Sequence, residues 1–117
     1  MKRIAVFGYS IMSLEVMIRL NEDQYSFVFI GKDENEASSV AEQGFETKMI
    51  DFRNDDALKS IGIGADVDIL FCFYPRDSDN VFLTLSARAI DKALTIVAIV
   101  DDPESAEKLL AAGANKI

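Results

Sequence analysis

Six residues near the amino terminus, Gly8-Tyr9-Ser10-Ile11-Met12-Ser13, follow a short apolar run and lead into a helical pattern, the place where a turn can cradle a phosphate. A pyrophosphate loop there reads Gly-x-Gly-x-x-Gly. The second glycine lets the backbone approach the phosphates, and the third lets the helix pack on the strand. This chain keeps Gly8 and places Ser10 and Ser13 at the other two positions. Ser13 is a modest change, since a small side chain still permits close helix packing. Ser10 puts a Cβ where a phosphate would sit, although its hydroxyl could donate to that phosphate instead, and the helix-start N–H groups attract an anion whatever the side chains are. Two readings stand side by side: phosphate binding, or a tight strand-to-helix turn.

A second test is the acid that closes the second strand and holds ribose hydroxyls. Its place is taken by Gly31, followed by Lys32, which could meet a phosphate, and Asp33, which could partly replace the acid. Asp51 and Phe52 follow the third strand; Asp51 is the best single residue for contacting a base or ribose, or else it caps the next turn. Tyr74 closes the fourth strand and Arg76 follows it. The acidic pairs Asp55-Asp56, Asp77 with Asp79, and Asp101-Asp102 could hold a hard divalent cation, but helix-start carboxylates explain them more simply, so no metal site is expected. No catalytic residues are expected either. The chain has no His, and its single cysteine, Cys72, sits in the apolar run Ile69-Leu70-Phe71-Cys72-Phe73 as an inert packed thiol.

These residues need a scaffold, and the hydrophobic pattern supplies one. Strands are expected at Arg3 to Phe7, Ser26 to Ile30, Glu46 to Ile50, Asp68 to Tyr74 and Leu94 to Val100, mostly continuous apolar runs as in parallel strands covered on both faces. Helices alternate with them: about Ile11 to Leu20, Glu34 to Gln43, a short one after Asn54, about Ser78 to Lys92, and one bounded by Asp102-Pro103-Glu104 and Gly113. The pattern implies a three-layer α/β/α sandwich of the Rossmann-like, doubly wound type with a mainly parallel sheet, in strand order 3-2-1-4-5 or 2-1-3-4-5. Asn115-Lys116-Ile117 read as the start of a sixth strand, so residues 1–117 are expected to be one domain excised from a longer protein or completed by something else.

The 117 residues carry 12 Lys plus Arg against 20 Asp plus Glu, a net charge of −8, which disfavours nucleic-acid backbones and anionic membranes. No run approaches the roughly 18 apolar residues of a membrane span, and Met1-Lys2-Arg3 leads into the first strand with no signal-peptide pattern, so a cytosolic domain is expected. Phe82 on the fourth helix exceeds what one core can bury and marks a possible association surface.

The chain resembles the N-terminal lobe of the RCK domain, the regulator of potassium conductance, also known as the TrkA-N NAD-binding type. Carrying the resemblance are Ile4-Ala5-Val6-Phe7-Gly8-Tyr9, Ile30-Gly31-Lys32-Asp33-Glu34, Ile50-Asp51 with Asp55 and Leu58, Asp79-Asn80, Ala87-Arg88, Asp102-Pro103-Glu104 and Gly113-Ala114-Asn115, in order over nearly the whole chain. The resemblance implies a regulatory, non-catalytic domain on the cytoplasmic face of the cell membrane, belonging to a potassium channel or potassium-uptake system. It also implies homodimers or rings assembled through these lobes, with a membrane pore in the same or a partner protein. NAD or an adenine nucleotide is the ligand class implied. Ser10, Ser13, Gly31 and Ile50 depart from nucleotide-binding members, so the crevice is expected to be degenerate and ordinary NAD binding is not expected. The alternative is the cofactor-binding half of an NAD(P)-dependent oxidoreductase.

Overall fold

A computed structural model describes residues 3–117; Met1 and Lys2, which bear on the expected lack of a leader, lie outside the described residues. Strands and helices alternate: β1 (Arg3–Phe7), α1 (Ile11–Glu22), β2 (Ser26–Gly31), α2 (Glu34–Ala41), β3 (Thr47–Met49), α3 (Asp55–Ser60), β4 (Val67–Cys72), α4 (Asp77–Ile90), β5 (Thr95–Ala98) and α5 (Pro103–Ala112).

All strand pairs are parallel and the order is β3-β2-β1-β4-β5, the first of the two orders that periodicity left open. β1 is central, with Phe7 opposite Ile30 of β2 on one side and Cys72 of β4 on the other. Alternate side chains of this buried strand feed two cores. Ile4 and Val6 join Phe27 and Phe29 under Met17 of α1 and Val40 of α2. Ala5 and Phe7 join Val28, Ile30 and Leu70 under Leu58, Leu83 and Leu109, from α3, α4 and α5. The chain therefore winds outward along one face and returns across the other. Strand order reverses between β1 and β4, the place where a doubly wound sheet ordinarily binds ligands beyond its strand ends.

The element boundaries differ from the expected ones in physically readable ways. β3 shrinks to three residues because it is an edge strand, mostly exposed and paired on one side only. β4 ends at Cys72 rather than Tyr74: the Phe73 N–H still donates to Phe7 O, but the Tyr74 N–H turns to the side chain of Asn80. β5 is likewise shorter, Thr95–Ala98. The expected sixth strand is a single parallel bridge between Val97 and Lys116. Among the described residues, no helix is long and apolar enough to cross a membrane.

Candidate functional site: a crevice over the strand ends

The loop after β1 is closed upon itself. Ser10 caps α1, and its hydroxyl oxygen accepts from Ser13 N–H at 3.1 Å, while Ser13 Oγ accepts from Ser10 N–H at 2.8 Å. The Ser13 hydroxyl in turn donates to Ser10 O at 2.9 Å, and Ser13 is fully buried. The N–H groups at the second and third glycine positions are thus consumed inside the loop. Those at Ile11 and Met12 stay at the helix start, beneath side chains that are 81% and 51% exposed.

Gly8 is explained by packing. Its φ is +97°, and a Cβ there would lie 2.4 Å from the carbonyl carbon of Phe73 and 2.5 Å from Tyr74 N, so only glycine lets β1 end flush against β4. Tyr9 turns into the core beside α1, edge-on to Phe29 with ring centres 6.2 Å apart. Gly31 is buried at the end of β2. A Cβ there would sit 3.2 Å from Ala37 N, so an acid in its place would crowd the start of α2.

Seven of the thirteen expected site residues line two hollows. The larger, about 750 Å³, gathers Lys32, Asp33, Asp51, Phe52 and Arg76 from the ends of β2, β3 and β4. Glu34, Met49, Ile50, Arg53 and Asp79 also line it, Arg53 following Asp51 and Phe52 directly. The smaller, about 420 Å³, has Met12 and Tyr74 with Pro75, Asp77 and Val100. Gly8, Tyr9, Ser10, Ile11, Ser13 and Gly31 line neither hollow and frame them instead.

In the larger hollow the Arg53 guanidinium lies over the Phe52 ring, 5.1 Å from its centre. Phe52 itself is nearly buried, with its ring 4.9 Å from that of Tyr74 and 6.0 Å from that of Phe82, so it presents little of its face to a ligand. Asp51 accepts from Arg53 N–H at 3.0 Å. Asp33 caps α2 by accepting from Glu36 N–H at 2.9 Å, and Glu36 accepts from Lys32 N–H at 3.1 Å. Among the described residues the one ion pair is Arg3 with Glu46, so Lys32, Arg53 and Arg76 face the hollow without a carboxylate partner.

Tyr74 is held protonated. Burial pushes its hydroxyl up first, Glu36, Cys72 and Asp79 push it further, and Arg53 opposes them. Burial likewise pushes the Cys72 thiol up to about 12 against a weak opposing contact with Thr84 Oγ1, in keeping with an inert thiol.

Two polar side chains that the sequence did not mark as structural lock this end and the opposite end of the sheet. Asn80 is fully buried; its carbonyl oxygen accepts from Tyr74 N–H, and its amide donates to Tyr74 O and Ile99 O, tying β4 to β5 beneath the crevice. Arg88 donates to the carbonyls of Gly113, Asp91 and Lys92 and to Asn115 Oδ1, closing the carboxyl ends of α4 and α5. The acidic pairs serve the backbone as well. Asp77 accepts from the N–H groups of Asp101 and Asp102, each at 3.0 Å; burial raises its pKa, but these bonds and one from the Ser105 hydroxyl outweigh it, and the net direction is down. Asp102 caps α5 through Glu104 N–H. Among the described residues, no cluster of three or more acids or cysteines is arranged to hold a metal ion.

A parallel sheet in this order, with its crevice at the strand reversal, defines a doubly wound domain of the nucleotide-binding type. The chain belongs to the TrkA-N domain family, which it matches over residues 4–117. It is 30% identical over 116 residues to probable potassium channel protein 2 of Methanocaldococcus jannaschii, covering 96% of this chain and 33% of that protein. It is 29% identical over 113 residues to potassium channel protein 1 of the same organism, covering 95% of this chain and 34% of that protein. The chain thus spans about a third of the length of these relatives. Among solved structures, the GsuK channel bound to NAD superposes with a TM-score of 0.90 at 25% identity, over 98% of this chain and 21% of that one.

Proposed function

We propose that this chain is the regulatory lobe of a potassium channel or potassium transport protein, lying on the cytoplasmic face of the membrane and sensing an adenine nucleotide in the crevice over its strand ends. The observation that carries this reading is similarity over almost the whole chain to one third of two potassium channel proteins. The lobe would be one part of a longer protein, with the pore elsewhere in that protein or in a partner. Lys32, Asp33, Asp51, Phe52, Arg53 and Arg76 form the ligand wall, and the Gly8–Ser13 loop, Gly31 and Tyr74 form its frame. A non-catalytic role is supported by the absence of His and by the burial of Cys72 and Tyr74. The oxidoreductase alternative is disfavoured by the channel relatives and by a loop in which the Ser10 and Ser13 N–H groups are already bonded to each other's hydroxyls.

Assembly would run through α4. Phe82, Leu85 and Ala89 share one face of that helix, with Phe82 43% and Leu85 52% exposed, and a second copy of the chain is the partner we propose for it. The functional reading is tested by growth of a potassium-uptake-deficient strain on limiting potassium, rescued by the full-length protein. Rescue that depends on the lobe supports it; growth indifferent to the lobe contradicts it.

A further inference from the structure

β4 and β5 are fully covered on one face only. Toward α4 and α5, Leu70, Cys72, Ile96 and Ala98 are completely buried. Toward the α1–α2 side, the alternating neighbours Ile69, Phe71, Val97 and Ile99 are only half-buried, and Thr95 is exposed. The two strands stand in register, Ile69 beside Thr95 and Phe71 beside Val97, so these side chains form one continuous patch without a charge. Strands of a parallel sheet are ordinarily covered on both faces. The helices account for the difference: α3, α4 and α5 pack on one side of the sheet, whereas α1 and α2 alone pack on the other, over β1, β2 and β3.

At about 3.3 Å per residue and about 4.8 Å between strands, the patch is roughly 16 Å long and roughly 10 Å wide. That is the footprint of one helix of about three turns, itself about 10–12 Å across. We propose that one amphipathic helix from outside residues 1–117 of the same polypeptide lies on this patch, as the third helix of the α1–α2 layer. A footprint of roughly 160 Å² falls far short of the about 800 Å² per partner that holds two independent proteins together, so the occupant is one delivered by a covalent tether. A second copy has no spare helix to donate, since all five cover its own sheet. This chain spans about a third of the potassium channel relatives, so a protein of their length has ample polypeptide to supply the helix. Its apolar side faces Phe71, Val97 and Ile99, and its polar side faces solvent. The same two strands lead to Tyr74 and Ile99, which line the smaller hollow, so the occupant rests against the strands beneath that end of the crevice. The proposal rests on the longer-protein part of the reading above and on neither potassium nor nucleotide.

Thiol labelling with a maleimide, read at the labelled peptide by mass spectrometry, tests this in the full-length protein. Cys72 is buried, so a cysteine placed on the patch is the reactive one in this lobe. Thr95→Cys and Val97→Cys should react at least about tenfold more slowly than Lys108→Cys, a control exposed on α5, because covering several apolar side chains shifts the opening equilibrium by more than a decade. In residues 1–117 alone, Thr95→Cys should react as fast as the control. Circular dichroism confirms that the variants are folded. A photoreactive maleimide on Thr95→Cys should join, within one molecule, a peptide outside residues 1–117. Thr95→Cys reacting as fast as Lys108→Cys in the full-length protein overturns the proposal. Protection already present in the isolated chain and lost on dilution, or a cross-link to a second molecule, assigns the patch to self-association and overturns it as well. Either failure leaves the potassium and nucleotide readings standing.

Discussion

Ser10 and Ser13 bond to each other three times: each hydroxyl oxygen accepts from the other's backbone N–H, and the Ser13 hydroxyl donates to Ser10 O. This reciprocal cap converts a loop that would otherwise present free N–H groups to a phosphate into a closed turn. It also stabilises α1. Ser10→Ala should lower unfolding stability by about 1 kcal/mol and Ser10→Gly by only a few tenths, as read by urea denaturation. An alanine variant as stable as the parent would mean that the cap contributes nothing.

Gly8 meets two demands at once, a positive φ and close contact with the end of β4. Gly8→Ala forces a side chain into a φ of +97° and a Cβ to within 2.4 Å of Phe73 backbone, and main chain cannot swing aside as a flexible side chain would. A loss of more than about 3 kcal/mol is expected, visible as a collapsed thermal transition or insoluble expression. A well-folded Gly8→Ala protein would show that β1 and β4 do not meet as described.

Much of this architecture was legible in the residues. The continuous apolar strands, the caps at Asn54 and Asp102, and Pro103 with Gly113 around α5 fixed the alternation, because each is a local signal with its own physics. Strand order was not legible, since a buried parallel strand looks the same wherever it lies in the sheet. Asn80 and Arg88 escaped for a related reason. Their partners are backbone atoms at Tyr74, Ile99 and Gly113, which hydropathy does not register. In the candidate site, the rule that ligands lie at strand carboxyl ends points to Lys32, Asp33, Asp51 and Arg76, which line one hollow, whereas the motif rule points to Gly8 and Ser10, which the structure places in a close backbone contact and a helix cap.

Alkali should weaken the fold. Cys72 stays protonated to about 12 when folded, against 9.0 for a free thiol, and Tyr74 is shifted upward as well. A thiol whose folded pKa is raised binds more protons in the native than in the unfolded state between these values. Its stabilising contribution is complete below pH 9.0 and lost as pH climbs toward about 12. Urea midpoints should fall steadily above pH 9.0, less steeply in Cys72→Ala, and a thiol reagent should modify Cys72 only at the rate of unfolding. Rapid labelling of the native protein at neutral pH would contradict the burial of this strand.

The apolar face of α4 should hold two copies of the chain together. Sedimentation velocity at high protein concentration is expected to show a dimer, and the double variant Phe82→Asp, Leu85→Asp should sediment as a folded monomer, because both side chains are exposed in the isolated lobe. A dimer that survives both substitutions would place the interface elsewhere.

Potassium flux through the full-length protein, reconstituted in lipid vesicles, bears most directly on the central claim that this lobe couples a nucleotide in its crevice to ion movement. The expected result is a potassium flux that an adenine nucleotide changes, and loss of that response in Arg53→Gln. A potassium flux that answers to no nucleotide, or no potassium flux at all, would contradict it.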